Sequence, residues 1–65
     1  MKIKVNGNEI VFYKKTLQDL VEQYKLQPTK IVIEKNGEVV HRDRFKEEIL
    51  QEGDTLEIVR FVGGG

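Results

Sequence analysis

An α+β fold, with one main helix packed on a mixed sheet, is what this chain of 65 residues predicts. Three observations carry the prediction. Apolar and polar residues alternate with period 2 near both ends of the chain, a single stripe of helical period lies between them, and two Asn-Gly pairs stand between apolar runs where hairpin turns belong. The predicted order is β-β-α-β-β-β.

Met1, Ile3 and Val5 share one face of the first strand, Asn6-Gly7 turns the chain, and Ile10 and Phe12 resume the apolar face. With Asn6-Gly7 as the loop, Val5 pairs with Asn8, Ile3 with Ile10 and Met1 with Phe12, leaving lysines, Val11 and Tyr13 on the other side. Thr16-Leu17-Gln18-Asp19 is a variant capping box: the Thr16 hydroxyl can accept from the Asp19 amide while the Asp19 carboxylate reaches back. Leu17, Leu20, Val21 and Tyr24 then form one core-facing stripe. Pro28 keeps the helix from running far beyond Leu26, because the residue before proline is pushed out of the α region.

Lys30 to Lys35 reads as a β-branched strand, and Asn36-Gly37 turns it into a short strand at Val39-Val40. From His41 to Glu52 the pattern is irregular. Phe45, Ile49 and Leu50 are its apolar anchors, with one helical or 3₁₀ turn expected around Asp43 to Lys46. Gly53-Asp54 leads into a final strand, Thr55 to Val62, with Leu56 and Ile58 on the core side and Glu57, Val59 and Phe61 on the other. The most economical sheet sets the long first and last strands side by side, parallel and central, with the helix across one face. That is the β-grasp, or ubiquitin-like, architecture. Residues 1–62 form a single domain by this reading, and 63–65 a flexible glycine tail.

Composition narrows the function. A chain this short buries only about 60% of the surface its unfolded form exposes, so its core is thin. With no cysteine, neither disulfides nor thiolate metal sites are available, and stability rests on apolar packing. Eleven basic residues balance eleven acidic ones, which argues against a protein built to coat nucleic acid or an anionic membrane. The N-terminus alternates apolar and charged residues instead of running apolar as an export signal does. The longest aliphatic run, Ile31-Val32-Ile33, is far short of a membrane span. A cytoplasmic monomer is expected. Acidic residues gather at 43–57, where Asp43, Glu47, Glu48, Glu52, Asp54 and Glu57 face only Arg44 and Lys46; this reads as a solvated face or as steering toward a basic partner.

Side chains offer little chemistry. His41 is the only histidine and has no orienting partner or nucleophile in view. Serine and cysteine are absent, Thr16 is explained as a cap, no helical spacing aligns carboxylates and histidine as metal ligands, and no glycine-rich loop opens a helix as a phosphate loop requires. Catalytic side chains and bound cofactors are therefore not expected, and neither is an enzyme acting alone.

The end of the chain is more informative. Glu57-Ile58-Val59-Arg60-Phe61-Val62 runs into Gly63, Gly64 and Gly65. Glycine lacks Cβ, and three extended residues reach about 10 Å, enough to thread a carboxylate down a channel too narrow for side chains. That carboxylate is ionised at neutral pH and a poor electrophile, so acyl chemistry there requires prior activation. Val59 and Phe61, joined by Val62, Val32 and Val11, would form an apolar docking patch beside it.

Across its whole length the chain resembles the ThiS family of sulfur carriers in thiamine biosynthesis. The likeness is carried by Met1-Lys-Ile-Lys-Val-Asn-Gly, Thr16-Leu-Gln-Asp-Leu-Val, Ile31-Val-Ile-Glu-Lys-Asn-Gly-Glu-Val-Val and, most specifically, Gly53-Asp-Thr-Leu-Glu-Ile-Val-Arg-Phe-Val-Gly-Gly-Gly. The resemblance implies that the Gly65 carboxylate is adenylated by an E1-like enzyme using ATP and magnesium. A system drawing sulfur from cysteine then converts it to a thiocarboxylate, which donates sulfur to thiazole synthase. Gly64 and Gly65 match the family diglycine, and Gly63 lengthens the tail by one residue. Three readings stand beside it: a carrier like the small subunit of molybdopterin synthase, a ubiquitin-like tag joined to lysines, and a non-covalent binding module.

Overall fold

A computed structural model of the chain describes residues 1–61. Strands β1 (Lys2–Val5) and β2 (Asn8–Val11) form the first hairpin, and helix α1 (Leu17–Gln23) follows. A 3₁₀ turn (Pro28–Lys30) leads into β3 (Ile31–Lys35), which turns back as β4 (Glu38–Val40). A second 3₁₀ turn (Arg42–Arg44) opens the irregular segment before β5 (Thr55–Arg60). The five strands make one sheet in the order β2-β1-β5-β3-β4, with β1 and β5 parallel at its centre. This is the predicted β-grasp arrangement.

The hairpin register is the predicted one, with Ile3 opposite Ile10 and Val5 opposite Asn8. Met1 and Phe12 extend it through two reciprocal hydrogen bonds between their backbones. Both Asn-Gly turns carry positive φ at both positions, 50° and 84° for Asn6-Gly7 and 53° and 87° for Asn36-Gly37, the conformation that matches the twist of the flanking strands. Ile3 and Val5, Leu56, and Ile31 and Ile33 project from β1, β5 and β3 onto Leu17, Leu20 and Val21 of the helix; Phe12, Phe45 and Leu50 complete the core. A helix of seven residues is marginal alone, so this packing holds it, each buried aliphatic side chain contributing about 1.5–3 kcal/mol.

The capping box forms as predicted. The Asp19 amide donates to Thr16 Oγ1 at 3.1 Å, and the Thr16 amide donates to Asp19 Oδ2 at 2.9 Å. Backbone N–H groups of Thr16 and Lys15 hold the Asp19 carboxyl below the ordinary aspartate range. The same end of the helix is tied to the irregular segment: Leu17 N–H donates to the Glu48 carbonyl, Gln18 N–H to Phe45, and Leu50 N–H to Lys15.

Several local expectations are corrected. The helix stops at Gln23, well before Pro28, because Lys25 turns left-handed with φ 55°. Leu26 N–H bonds the Val21 carbonyl and Lys25 N–H the Glu22 carbonyl, which is the Schellman closure. Tyr24, at the cap, is more than a third exposed and does not complete the core stripe. Lys30 belongs to the turn before β3, and the turn after His41 begins one residue earlier than expected, at Arg42. Ile49 lies on the surface: its backbone bridges Thr16, and alternation sends Leu50 inward in its place. The described part of β5 ends at Arg60; Val62, expected in this strand, lies outside the described residues.

Candidate functional site at the end of the last strand

The beginning of β5 is anchored through its neighbours' turns. Asp54, the one buried charged residue described, accepts from the Gln51 amide at 2.8 Å and from Asn36 Nδ2 at 3.0 Å. Asn36 Oδ1 accepts in turn from the Thr55 amide at 2.9 Å. On the other edge, Asn6 N–H donates to the Leu56 carbonyl at 2.9 Å, after which β1 turns away. Its side chain then stands in for the missing strand: Asn6 Oδ1 accepts from Ile58 N–H at 2.7 Å and Nδ2 donates to the Ile58 carbonyl at 3.2 Å. Sequence reasoning took both asparagines as turn formers only, and read Asp54 as part of a turn. Their reach to β5 spans up to 52 residues of chain, which no local pattern signals.

Lys35 closes this anchored end. It pairs with Glu48, approaches Asp54 Oδ2 at 3.9 Å, and its Nζ lies 3.4 Å from the Ile49 carbonyl. The hydrogen bond to Glu48 pushes the Lys35 ammonium above the ordinary lysine range against the opposing cost of burial. Glu52 accepts from the Lys2 amide at 2.9 Å. Four of the six carboxylates at 43–57, Glu47, Glu48, Glu52 and Asp54, thus have partners within the domain, which neither the solvated-face reading nor the steering one anticipated.

Past Ile58 the environment changes. Val59 is opposite Val32 on the sheet face away from the helix, and Phe61 N–H donates to the Lys30 carbonyl at 2.9 Å. Val59 is 57% exposed and Phe61 54%. With Val32 and Val39 they form the apolar patch, and Phe61, Val32 and Val39 line a shallow groove of about 510 Å³ with Pro28 and His41. Val59, Phe61 and Val32 are therefore brought together as predicted. Val11 is not: it pairs with Lys2 on the far edge strand, with β1 between it and β5. Val39 takes its place, on a strand too short for its outward face to be read from sequence. Val62, Gly63, Gly64 and Gly65 lie outside the described residues.

A second groove, of about 420 Å³, opens on the other side of Phe61, toward the helix end, with Lys25, Leu26, Lys30 and Arg60 along it. His41 is exposed at the start of a turn, Thr16 is spent as a cap, and among the described residues no group of three or more histidine and carboxylate side chains could hold a metal. No described helix is long and apolar enough to cross a membrane. What the described arrangement offers is a strand held on both edges at its start and carrying an exposed apolar face at Val59 and Phe61.

Comparison with known proteins matches this architecture. The ThiS family model aligns with residues 3–65, so it runs through the glycines. The chain is 37% identical to the sulfur carrier protein ThiS of Bacillus subtilis (strain 168), over 97% of this chain and 98% of that one. It is also 35% identical to a thiazole synthase of Paramagnetospirillum magneticum, covering all of this chain but only 20% of that protein's length. The crystal structure of the thiamine biosynthesis protein ThiS from Geobacter metallireducens superposes with a TM-score of 0.83 at 30% identity, covering both chains fully. The chain belongs to the ThiS family.

Proposed function

We propose that this chain is a cytoplasmic, monomeric sulfur carrier of thiamine biosynthesis, a co-substrate of its partner enzymes and not a catalyst. The observation that carries the reading is the family match extending through Gly65. The reactive group is the Gly65 carboxylate. One of its oxygens attacks the α-phosphorus of ATP in an E1-like enzyme that supplies magnesium, and pyrophosphate leaves. The acyl adenylate is then electrophilic, and sulfur at the sulfide level, drawn from cysteine by a donor system, displaces AMP to leave a thiocarboxylate. Thiazole synthase accepts that sulfur. Gly63 and Gly64 admit the terminus to both active sites because no Cβ obstructs a narrow channel. The exposed patch of Val59 and Phe61, extended by Val62, supplies recognition.

The part played by thiazole synthase draws support from the relative of that name, in which a carrier-like stretch is one fifth of a longer chain. Joining two modules in one chain is useful when they must meet, since it raises their effective concentration. The test is to incubate the protein with the adenylating enzyme, ATP, magnesium and a sulfur source, beside a version lacking Gly65. Intact mass spectrometry should find one oxygen exchanged for sulfur in the full chain only. Equal conversion of the shortened chain would move the chemistry off Gly65. A terminus that stays unmodified in cells pressed for thiamine would favour the binding module, and one joined to lysines the protein tag.

A further inference from the structure

The groove on the helix side of Phe61 gathers three cations, Lys25, Lys30 and Arg60, along the apolar side chains of Leu26, Ile31 and Phe61. None of the three has an ion-pair partner among the described residues. Lys25 is the most telling. It sits at the left-handed position that closes the helix, φ 55°, where glycine is preferred because a Cβ is strained there. The other described non-glycine residues at positive φ, Asn6 and Asn36, are of the type that tolerates it. The last turn of α1 contains no basic residue, so Lys25 is also the cation placed to meet the negative end of the helix dipole, and Lys30 and Arg60 share the groove with it.

Reach decides what the groove meets. Gly65 lies four residues beyond Phe61, a distance of about 14 Å when extended. Whenever Gly65 lies at the bottom of an enzyme pocket of that depth, Phe61 and the residues around it are pressed against the pocket's mouth. We propose that the mouth of the thiazole synthase pocket carries aspartate or glutamate side chains that pair with Lys25, Lys30 and Arg60. This rests on the carrier reading and adds the charge and place of the contact. The synthase is the partner chosen because a relative of that name contains the carrier-like stretch within its own chain. The apolar patch on the opposite face of the sheet is then left for a second contact.

The test is binding of the full-length carrier to its cognate thiazole synthase by titration calorimetry, at about 50 mM and about 300 mM salt. The variants are Lys25→Gly, Lys30→Gln, Arg60→Gln and the triple substitution. Rim ion pairs are modest singly, so each variant should weaken binding about two- to fivefold and the triple on the order of tenfold or more, with a shallower salt dependence. Lys25→Gly should melt at the same temperature or higher than wild type, which separates lost recognition from lost folding. A triple variant that binds within twofold of wild type, with the same salt dependence, overturns the proposal and leaves the carrier reading intact. A wild-type carrier that accepts sulfur but does not bind the synthase overturns it too. If the wild-type chain does not accept sulfur at all, the carrier reading itself has failed.

Discussion

The two ends of β5 are built for opposite purposes. At Thr55 and Leu56 the strand is flanked by β1 on one side and β3 on the other, with Asn36 and Asp54 bonding its approach. At Val59 to Phe61 only the β3 side is paired, and the outward side chains are more than half exposed. Between them the Asn6 amide bonds both backbone groups of Ile58, closing the anchored region where β1 leaves. The difference shows how one strand of a small domain can be held on both edges at its start and, within two or three residues, expose its outward side chains.

The comparison breaks most completely at Leu56. It is fully buried between β1 and β3, so Leu56→Ala should cost about 2–5 kcal/mol through lost transfer energy and the cavity left behind. A domain of this size has little more than that to lose, and chemical denaturation should find the variant largely unfolded. A loss below about 1 kcal/mol would mean the strand is not anchored where it is drawn.

Asp54→Ala comes next, at about 1–3 kcal/mol, since it leaves the Gln51 amide and Asn36 Nδ2 without their acceptor. Asn6→Ala should cost about 1–2 kcal/mol, combining two lost hydrogen bonds with a residue less suited to φ 50°. Denaturation midpoints measured in a double-mutant cycle would sharpen the comparison. Asn6 and Asp54 grip opposite edges of β5, and additive losses are expected if each grips it independently. Strong coupling between them would show that the two edges yield together.

Phe61→Ala probes the free end. The side chain is half exposed, so the fold should lose less than about 1 kcal/mol, while partner binding weakens by more. Equal losses would make Phe61 part of the scaffold and remove it from the docking patch.

The anchored end and the free end were not equally legible in sequence. The strands, the Asn-Gly turns, the capping box and the inward set Leu56 and Ile58 all follow from local periodicity or turn chemistry, and the structure has them. What holds β5 is long-range: an asparagine placed by its turn has a side chain left over, and only the fold says that Ile58 or Thr55 stands beside it. Ile49 and Leu50 are neighbours of equal apolarity, so composition could not tell which one faces in; the bridge to Thr16 decides it. The outward pair Val59 and Phe61 was visible because alternation fixed it once Leu56 was placed. The strand opposite was harder, so Val39 was missed and Val11 wrongly included.

The smallest expected effect tests the Lys35 contact that closes the anchored end. Its ammonium titrates above the ordinary lysine value of 10.5, chiefly through the hydrogen bond to Glu48. A base whose pKa is higher in the folded state than in the unfolded one contributes stability fully at pH below the unfolded value, and that contribution disappears as pH rises through the folded value. Stability from this pair should therefore be flat from neutral pH to about 9.5 and decline above about 10.5. The pair is only partly shielded from water, so the decline should amount to less than about 1 kcal/mol. Glu48→Gln removes the main cause of the shift. Denaturant midpoints of the wild type and this variant, compared between pH 9 and 11.5, should converge as the lysine deprotonates. Curves that stay parallel across that range would show that Glu48 holds the loop by packing and not by charge.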